Sequence, residues 1–282
     1  MLNRSIALKY ATPLFPIPTS LKHSGKLKQK IRCVLFDIYG TLFISGSGDI
    51  SVAKKESQQT EKLETLLLKF GISKSPKKVL DGLFNTIEET HESLRKKGID
   101  FPEVVIEQIW MRVLENDDFS AVRAFAIEFE LIANPVYPMP HLKKMLSNCK
   151  ELNVLMGIIS NSQFYTPYLF NWFLDSSPEA LGFDPDLTLY SYQFGYAKPS
   201  TFMFKMAAEK LKHRHIPPPS VLYIGNDILN DIYPAKKTGF STALFAGDAR
   251  SLRLREDDPK CKNLSADLII TDLDQILDYI ER

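Results

Sequence analysis

The stretch Ile31-Arg32-Cys33-Val34-Leu35-Phe36-Asp37-Ile38-Tyr39-Gly40-Thr41-Leu42 decides how the rest of the chain is read. Residues 31–36 form a short, mostly apolar run that stops at an acid, as a strand buried in a parallel sheet does. Gly40, Gly46 and Gly48 then break the pattern, as a loop does. Far downstream the same alternation returns. Strands are predicted at 154–160, 187–192, 221–224, 241–245 and 268–270. Helices are predicted at 141–150, 166–173, 201–212, after Asn230 and at 273–280. Strands alternating with helices predict an α/β fold, a doubly wound parallel Rossmann-like sheet with helices on both faces.

Between the first strand and the rest, residues 56–132 carry no strand signal. Apolar positions recur at helical spacing: Leu63, Leu66, Leu67 and Phe70, then Val79, Leu80, Leu83, Phe84 and Ile87, then Val105, Ile106, Ile109 and Trp110, then Val122, Phe125, Ala126 and Phe129. That is an inserted unit of about four amphipathic helices. The aromatics Phe84, Trp110 and Phe125 fall on these apolar faces and read as core. Pro135, Pro138 and Pro140 mark the return linker. The expected division is a basic extension over 1–30, a core of 31–48 and 138–282, and a helical cap over 49–137.

The 282 residues are 44% hydrophobic and 24% charged, an ordinary globular balance that excludes a disordered or fibrous chain. Thirty-five Lys and Arg against thirty-four Asp and Glu leave a net charge of +1, which gives no reason to expect a nucleic-acid partner. No apolar run approaches the ~20 residues of a membrane span. The three cysteines, Cys33, Cys149 and Cys261, are widely spaced and form no CxxC, so a reducing, cytoplasmic setting is expected. Residues 1–32 hold seven Lys and Arg, among them Arg4, and no acid. One reading is an organelle-targeting segment; the other is a basic arm lying along the folded body. The run Arg255-Glu256-Asp257-Asp258-Pro259-Lys260 reads as a solvated loop.

In sheets of this kind a ligand sits beyond the carboxyl ends of the strands, so the polar residues there carry the chemistry. Asp37 follows the first strand, where it reads either as a nucleophilic carboxylate or as a cap of the following turn. Ser160 and Asn161 end the strand at 154–160, where they read either as an anion cradle or as a helix N-cap. Lys198 precedes a helix start, a position that opposes the macrodipole; it reads as a functional cation or as a surface lysine. Asp227 and Asp231 follow the strand at 221–224, four residues apart. With Asp37 they make either a hard-oxygen set suited to Mg²⁺ or, for that pair alone, an N-cap with a first-turn acid.

These four segments, in this order, resemble the motifs of the haloacid dehalogenase superfamily of hydrolases. Asp37 to Leu42 looks like its first motif, Ser160-Asn161 its second, Lys198 its third, and Gly225-Asn226-Asp227 with Asp231 its fourth; the resemblance runs over about residues 31–275. The helical insertion sits where members with the first type of cap carry it. The resemblance implies that Asp37 is the nucleophile and Lys198 a catalytic cation. It implies that Tyr39, Gly40, Thr41, Ser160, Asn161 and Lys198 bind or position the transferring group. It implies Mg²⁺ on Asp37, Asp227 and the Tyr39 carbonyl, with Asp231 a ligand through water or an orienting group.

One position departs from the pattern. Phosphatases of the family place a second Asp two residues after the nucleophile as general acid and base, and here that position is Tyr39. A phenol with a pKa near 10 is a poor base at neutral pH. Family dehalogenases carry Tyr there, but they lack the metal-ligand acid that Asp227 matches. They also place an Arg just after motif one, and none stands in Phe43-Ile44-Ser45-Gly46-Ser47; Arg95, Arg112 and Arg123 of the cap are candidate substitutes. Three functions follow. The leading one is Mg²⁺-dependent hydrolysis of a small phosphoester through an aspartyl-phosphate. The others are a metal-independent 2-haloacid dehalogenase and a non-catalytic binding protein of the same fold.

Overall fold

A computed structural model describes residues 4–46 and 57–280. The expected core–cap boundary at 48/49, with Ser47, Gly48 and the start of the helical stretch at 56, falls outside the described residues. In chain order the elements begin with α1 (Arg4–Tyr10), β1 (Ser24–Gly25), β2 (Cys33–Phe36) and β3 (Phe43–Ser45). The helical stretch gives α2 (Ser57–Lys69), α3 (Pro76–Lys96), α4 (Ile106–Leu114) and α5 (Phe119–Ala133). Then follow β4 (Val136–Pro138), α6 (Leu142–Glu151), β5 (Leu155–Ser160), α7 (Tyr168–Leu174), β6 (Phe183–Tyr190) and α8 (Ser191–Phe194). The chain continues through α9 (Phe202–His213), β7 (Val221–Gly225), α10 (Tyr233–Lys237), β8 (Ser241–Phe245) and β9 (Leu268–Ile270).

Seven strands make the main sheet in the order β1-β9-β8-β7-β2-β5-β6, all parallel except β1, which pairs antiparallel with β9. β2 is central because all four of its side chains are apolar and buried, the pattern a strand covered on both faces requires. Phe36 lies opposite Ile158 of β5 and Ile224 of β7. The carboxyl ends of these three strands are therefore level. After β2 the chain winds outward through β5 and β6, then returns to the other flank of β2 for β7, β8 and β9. The winding direction reverses at β2, and a crevice opens at its carboxyl end.

The four helices α2–α5 pack on one another, as their spacing predicts. Trp110 and Phe125 are buried at their centre, with ring centroids 4.9 Å apart, and Phe129 lies 4.7 Å from Trp110. Phe84 is half-buried on the same apolar face. α3 starts where Pro76 follows Ser75, whose hydroxyl accepts from the Lys78 amide, and α5 starts on Asp118, which accepts from the Ser120 and Ala121 amides. The segments leading into and out of this unit, read from sequence as a loop and a linker, pair as a two-stranded antiparallel ribbon, β3 with β4. Each is too short to carry a strand pattern alone.

The basic N-terminal segment lies along the body over its described length. Ala7 is buried against α5 and α7. Arg4 donates to the Trp172 carbonyl and pairs with Asp175, and the Tyr10 hydroxyl donates to Glu128 of α5. Further on, the Ile17 amide donates to Asp248, Thr19 donates to the Ala246 carbonyl, and β1 adds to the sheet edge. No helix of the described residues is long and apolar enough to cross a membrane.

Candidate active site

Four strand ends and one strap build the site. Asp37 is the first residue after β2; its amide donates to the Ile224 carbonyl, which locks the backbone, and the residue is only 6% exposed. Its Oδ1 accepts from the Ser160 hydroxyl at 2.8 Å and from the Lys198 ammonium at 2.8 Å. Lys198 is buried and also donates to Asp231 at 2.5 Å and to the Tyr223 hydroxyl at 3.1 Å. The Asn161 amide brackets the Lys198 main chain, accepting from its N–H at 2.6 Å and donating to its carbonyl at 3.1 Å. Burial works against charge on Lys198, but Asp231 and Asp37 outweigh it and hold the ammonium above its ordinary pKa. Burial pushes the Asp231 carboxyl up to about 6, against the pull of Lys198.

Asp231 is held from three sides. Its Oδ1 lies 2.9 Å from the Tyr223 hydroxyl, and its Oδ2 accepts from the Asp227 amide at 3.0 Å. Gly225 passes so close that a Cβ there would lie 2.3 Å from Asp231 Cγ, so this strand end admits only glycine. Asp227 caps the short helix Ile228–Ile232, accepting from the Leu229 and Asn230 amides and from the Asn230 side chain. Its carboxylate is also gripped by Arg255, at 2.6 Å from Nη2 and 3.1 Å from Nε.

These groups face a cavity of about 340 Å³. Asp37, Tyr39, Asn161, Lys198, Asn226, Asp227, Asn230, Asp231, Ser251, Arg253 and Arg255 line its sheet end. Ser45, Glu103, Glu130, Asn134, Ser162, Gln163 and Tyr165 line the rest, so nearly every lining side chain is polar. Five of the expected site residues are brought together with the cavity at Asp37: Tyr39, Asn161, Lys198, Asp227 and Asp231. Gly40, Thr41 and Ser160, also expected at the transferring group, stand behind the cavity lining. The Gly40 amide is committed to the Phe43 carbonyl, the Thr41 hydroxyl to Asn226 and the Ser160 hydroxyl to Asp37. They position the motifs. Gly40 has φ +82, and a Cβ would lie 2.5 Å from Ser251.

Tyr39 turns its hydroxyl to Thr166, 3.0 Å away. Burial, with nearby Glu130 adding, pushes its phenol well above the ordinary value, so it stays protonated at neutral pH and serves as no base. The cap arginines do not reach the cavity. Arg95 pairs with Glu88 and Arg112 with Glu89, both at 2.9 Å, and Arg123 lies 3.6 Å from Glu107 with its guanidinium 4.0 Å from the Phe164 ring centroid.

Several residues of the site were not legible in sequence. Arg255, read as part of a solvated loop, is exposed as expected, but its guanidinium sits on Asp227. Tyr223 was one apolar strand residue among others; a tyrosine in a strand buried on both faces needs a hydroxyl partner, and that was the available signal. Glu103 and Glu130 are half-buried wall carboxyls whose pKa is raised by desolvation, with hydrogen bonds from Ser191 and from Tyr165 pulling the other way. Glu130 lies in the last turn of α5, where an acid opposes the helix dipole.

Of the expected Mg²⁺ set, Asp37, Tyr39 and Asp227 all line the cavity. Among the described residues, three metal-donor side chains meet within 4.8 Å only at His141, Asp272 and Asp274, away from the cavity wall. Both Asp227 oxygens are already taken by backbone amides, Asn230 and a guanidinium. As these residues stand, they do not fit a resident divalent ion, contrary to the sequence expectation.

The family model described as haloacid dehalogenase-like hydrolase matches residues 31–239. An uncharacterized hydrolase of Schizosaccharomyces pombe is 25% identical over 224 residues, 74% of this chain and 87% of its own. A 2-haloacid dehalogenase from Pseudomonas syringae shares the fold with TM-score 0.55 at 18% identity, over 88% of this chain and 97% of its own. A protein from Rhodobacter sphaeroides solved in complex with phosphate, CbbY, gives TM-score 0.51 at 14% identity, over 87% and 96%. Matched over most of its length and carrying the four motifs on the strand ends where that fold uses them, the chain belongs to the haloacid dehalogenase-like hydrolases.

Proposed function

We propose that the protein hydrolyses a small phosphate monoester, with Asp37 as nucleophile. The observation that carries this reading is the polar lining of the cavity around Asp37. The amides, hydroxyls and cations of that lining suit a phosphate ester with a polar leaving group. In the first step an Asp37 oxygen forms a bond to phosphorus while the P–O bond to the alcohol breaks. Lys198 stays on Asp37 and offsets part of the charge that gathers on the phosphoryl oxygens. Ser160 holds the carboxylate in line, and Asn161 holds Lys198. Water then attacks phosphorus, the aspartyl bond breaks and phosphate leaves. With Tyr39 turned to Thr166 and no base at neutral pH, the leaving alkoxide takes its proton from solvent, so esters of acidic alcohols react fastest.

The residues 49–137 act as the cap that excludes water and selects the substrate over the core of 31–48 and 138–282. Three free, buried cysteines support a reducing compartment, the cytoplasm, and the near-neutral charge supports a small-molecule substrate with no nucleic-acid or membrane partner. The test is hydrolysis of p-nitrophenyl phosphate by purified protein, with and without Mg²⁺, against Asp37→Asn. Turnover that disappears in Asp37→Asn is expected; its absence in the wild type at several pH values overturns the reading. The second reading, 2-haloacid dehalogenation, is favoured by Tyr39, and halide release from 2-chloropropionate that disappears in Asp37→Asn would replace the first.

A further inference from the structure

Beyond β8 the chain folds back over the site as a strap. Ser251 lies under Gly40, and its carbonyl accepts from Asn226. The Arg253 amide donates to the Asn226 carbonyl and the Arg253 carbonyl accepts from the Ile228 amide, both at 2.9 Å, so main-chain bonds clamp the strap onto the loop that carries Asp227. Two residues later Arg255 is delivered onto the Asp227 carboxylate, with Nη2 at 2.6 Å from Oδ2 and Nε at 3.1 Å from Oδ1. Arg255 adopts φ +54, a left-handed backbone that is uncommon for a non-glycine residue. A two-pronged guanidinium on a carboxylate that is 9% exposed is a built contact. Among the described residues at the sheet end of the cavity, the carboxylates Asp37, Asp227 and Asp231 stand with the cations Lys198, Arg253 and Arg255.

We propose that Arg255 is the resident cation of this site, standing at Asp227 in the place a divalent metal takes in metal-dependent hydrolases, so that the protein turns over without added metal. Arg255 acts through Asp227 and is a positioning residue: it neutralises that carboxylate and keeps the fourth motif's loop seated beside Lys198. The proposal rests on the hydrolysis reading above, and one arm of its test does not.

The activity arm measures p-nitrophenyl phosphate hydrolysis after EDTA treatment, with and without millimolar Mg²⁺, for wild type, Arg255→Met and Arg255→Lys. The wild-type rate is expected to be the same in both media within about twofold. Arg255→Met is expected to fall about tenfold or more in EDTA, the loss of a charge-assisted contact, and to recover in Mg²⁺. Arg255→Lys, which keeps the charge without the fork, is expected to fall less. A wild type that is inactive in EDTA and restored by Mg²⁺ overturns the proposal and leaves the hydrolysis reading standing. The binding arm titrates Mg²⁺ alone into the same proteins by calorimetry, with thermal unfolding confirming that each is folded. Binding to Arg255→Met at least about tenfold tighter than to wild type supports the proposal. Equal affinity overturns it, whatever the activity. Arg253→Met tests whether loss of any nearby cation suffices; if it tightens Mg²⁺ binding as much as Arg255→Met does, the proposal fails.

Discussion

Replacing Lys198 with methionine removes the one ammonium that two buried carboxylates share. Asp37 is 6% exposed and Asp231 1%, and Lys198 Nζ lies 2.8 and 2.5 Å from them. Methionine keeps most of the volume, so the cost is electrostatic. Leaving a buried ion pair with one partner missing costs about 3–5 kcal/mol. In a chain of 282 residues, at about 2–4 °C per kcal/mol, that is a melting-point loss of ~6–20 °C. The cost falls chiefly on Asp231, which is the more buried and whose pKa burial already raises. Adding Asp231→Asn to Lys198→Met should therefore recover at least half of the loss, since one stranded charge is gone while the Asp227 amide keeps an acceptor. The assay is thermal and urea unfolding of wild type, both single variants and the double variant. A Lys198→Met protein within about 1 kcal/mol of wild type, or a double variant no more stable than Lys198→Met, would refute the reasoning.

Tyr39→Phe should lose about 1 kcal/mol with the Thr166 hydrogen bond and leave hydrolysis of activated esters within twofold, because the phenol handles no proton; a 100-fold loss would restore it as a catalytic group. Tyr39→Asp should speed esters of unactivated alcohols at least tenfold, read by phosphate release. Trp110→Ala, which empties the centre of the helical unit, should cost about 3–5 kcal/mol in urea unfolding. Burial raises the Glu130 carboxyl, so the folded chain holds that proton more tightly than the unfolded chain. Its contribution is full below the ordinary carboxylate pKa and is lost as pH rises through the folded value. Glu130→Gln should therefore melt above wild type at pH 8, with the gap closing by pH 4; a gap that widens on acidification contradicts the burial argument.

What the sequence disclosed follows the range over which each feature is decided. Asp37 was legible because a buried strand announces its own end, and Ser160, Lys198 and Asp227 because each follows a strand or opens a helix. The helical unit was legible from spacing alone. Arg255 was not, because nothing local places it: its position comes from main-chain bonds between Arg253 and a loop more than twenty residues earlier. Glu103 enters the wall through Gln163 and Ser191, from two other segments, and Glu130 through Tyr165. The ribbon of β3 and β4 joins residues about ninety apart in the chain, so neither half carried the signal. Gly40, Thr41 and Ser160 stand behind the cavity lining for the same reason. A motif fixes which residues gather, but which of them reaches the cavity depends on who claims each hydrogen bond first.

The N-terminal helix α1 bears on how the protein is divided for experiment. The family match begins at residue 31, yet α1 rests on α5 of the helical unit through Tyr10 and Glu128, and on α7 of the core through Arg4. It ties the helical unit to α7 beside the sheet. A chain started at the family boundary would uncover the seat of Ala7, leave Glu128 with Lys69 as its remaining partner, and open β9 as a bare sheet edge. Such a truncated protein would report the chemistry of Asp37 with that tie cut, faster to admit bulky esters and less able to discriminate among them than the full chain.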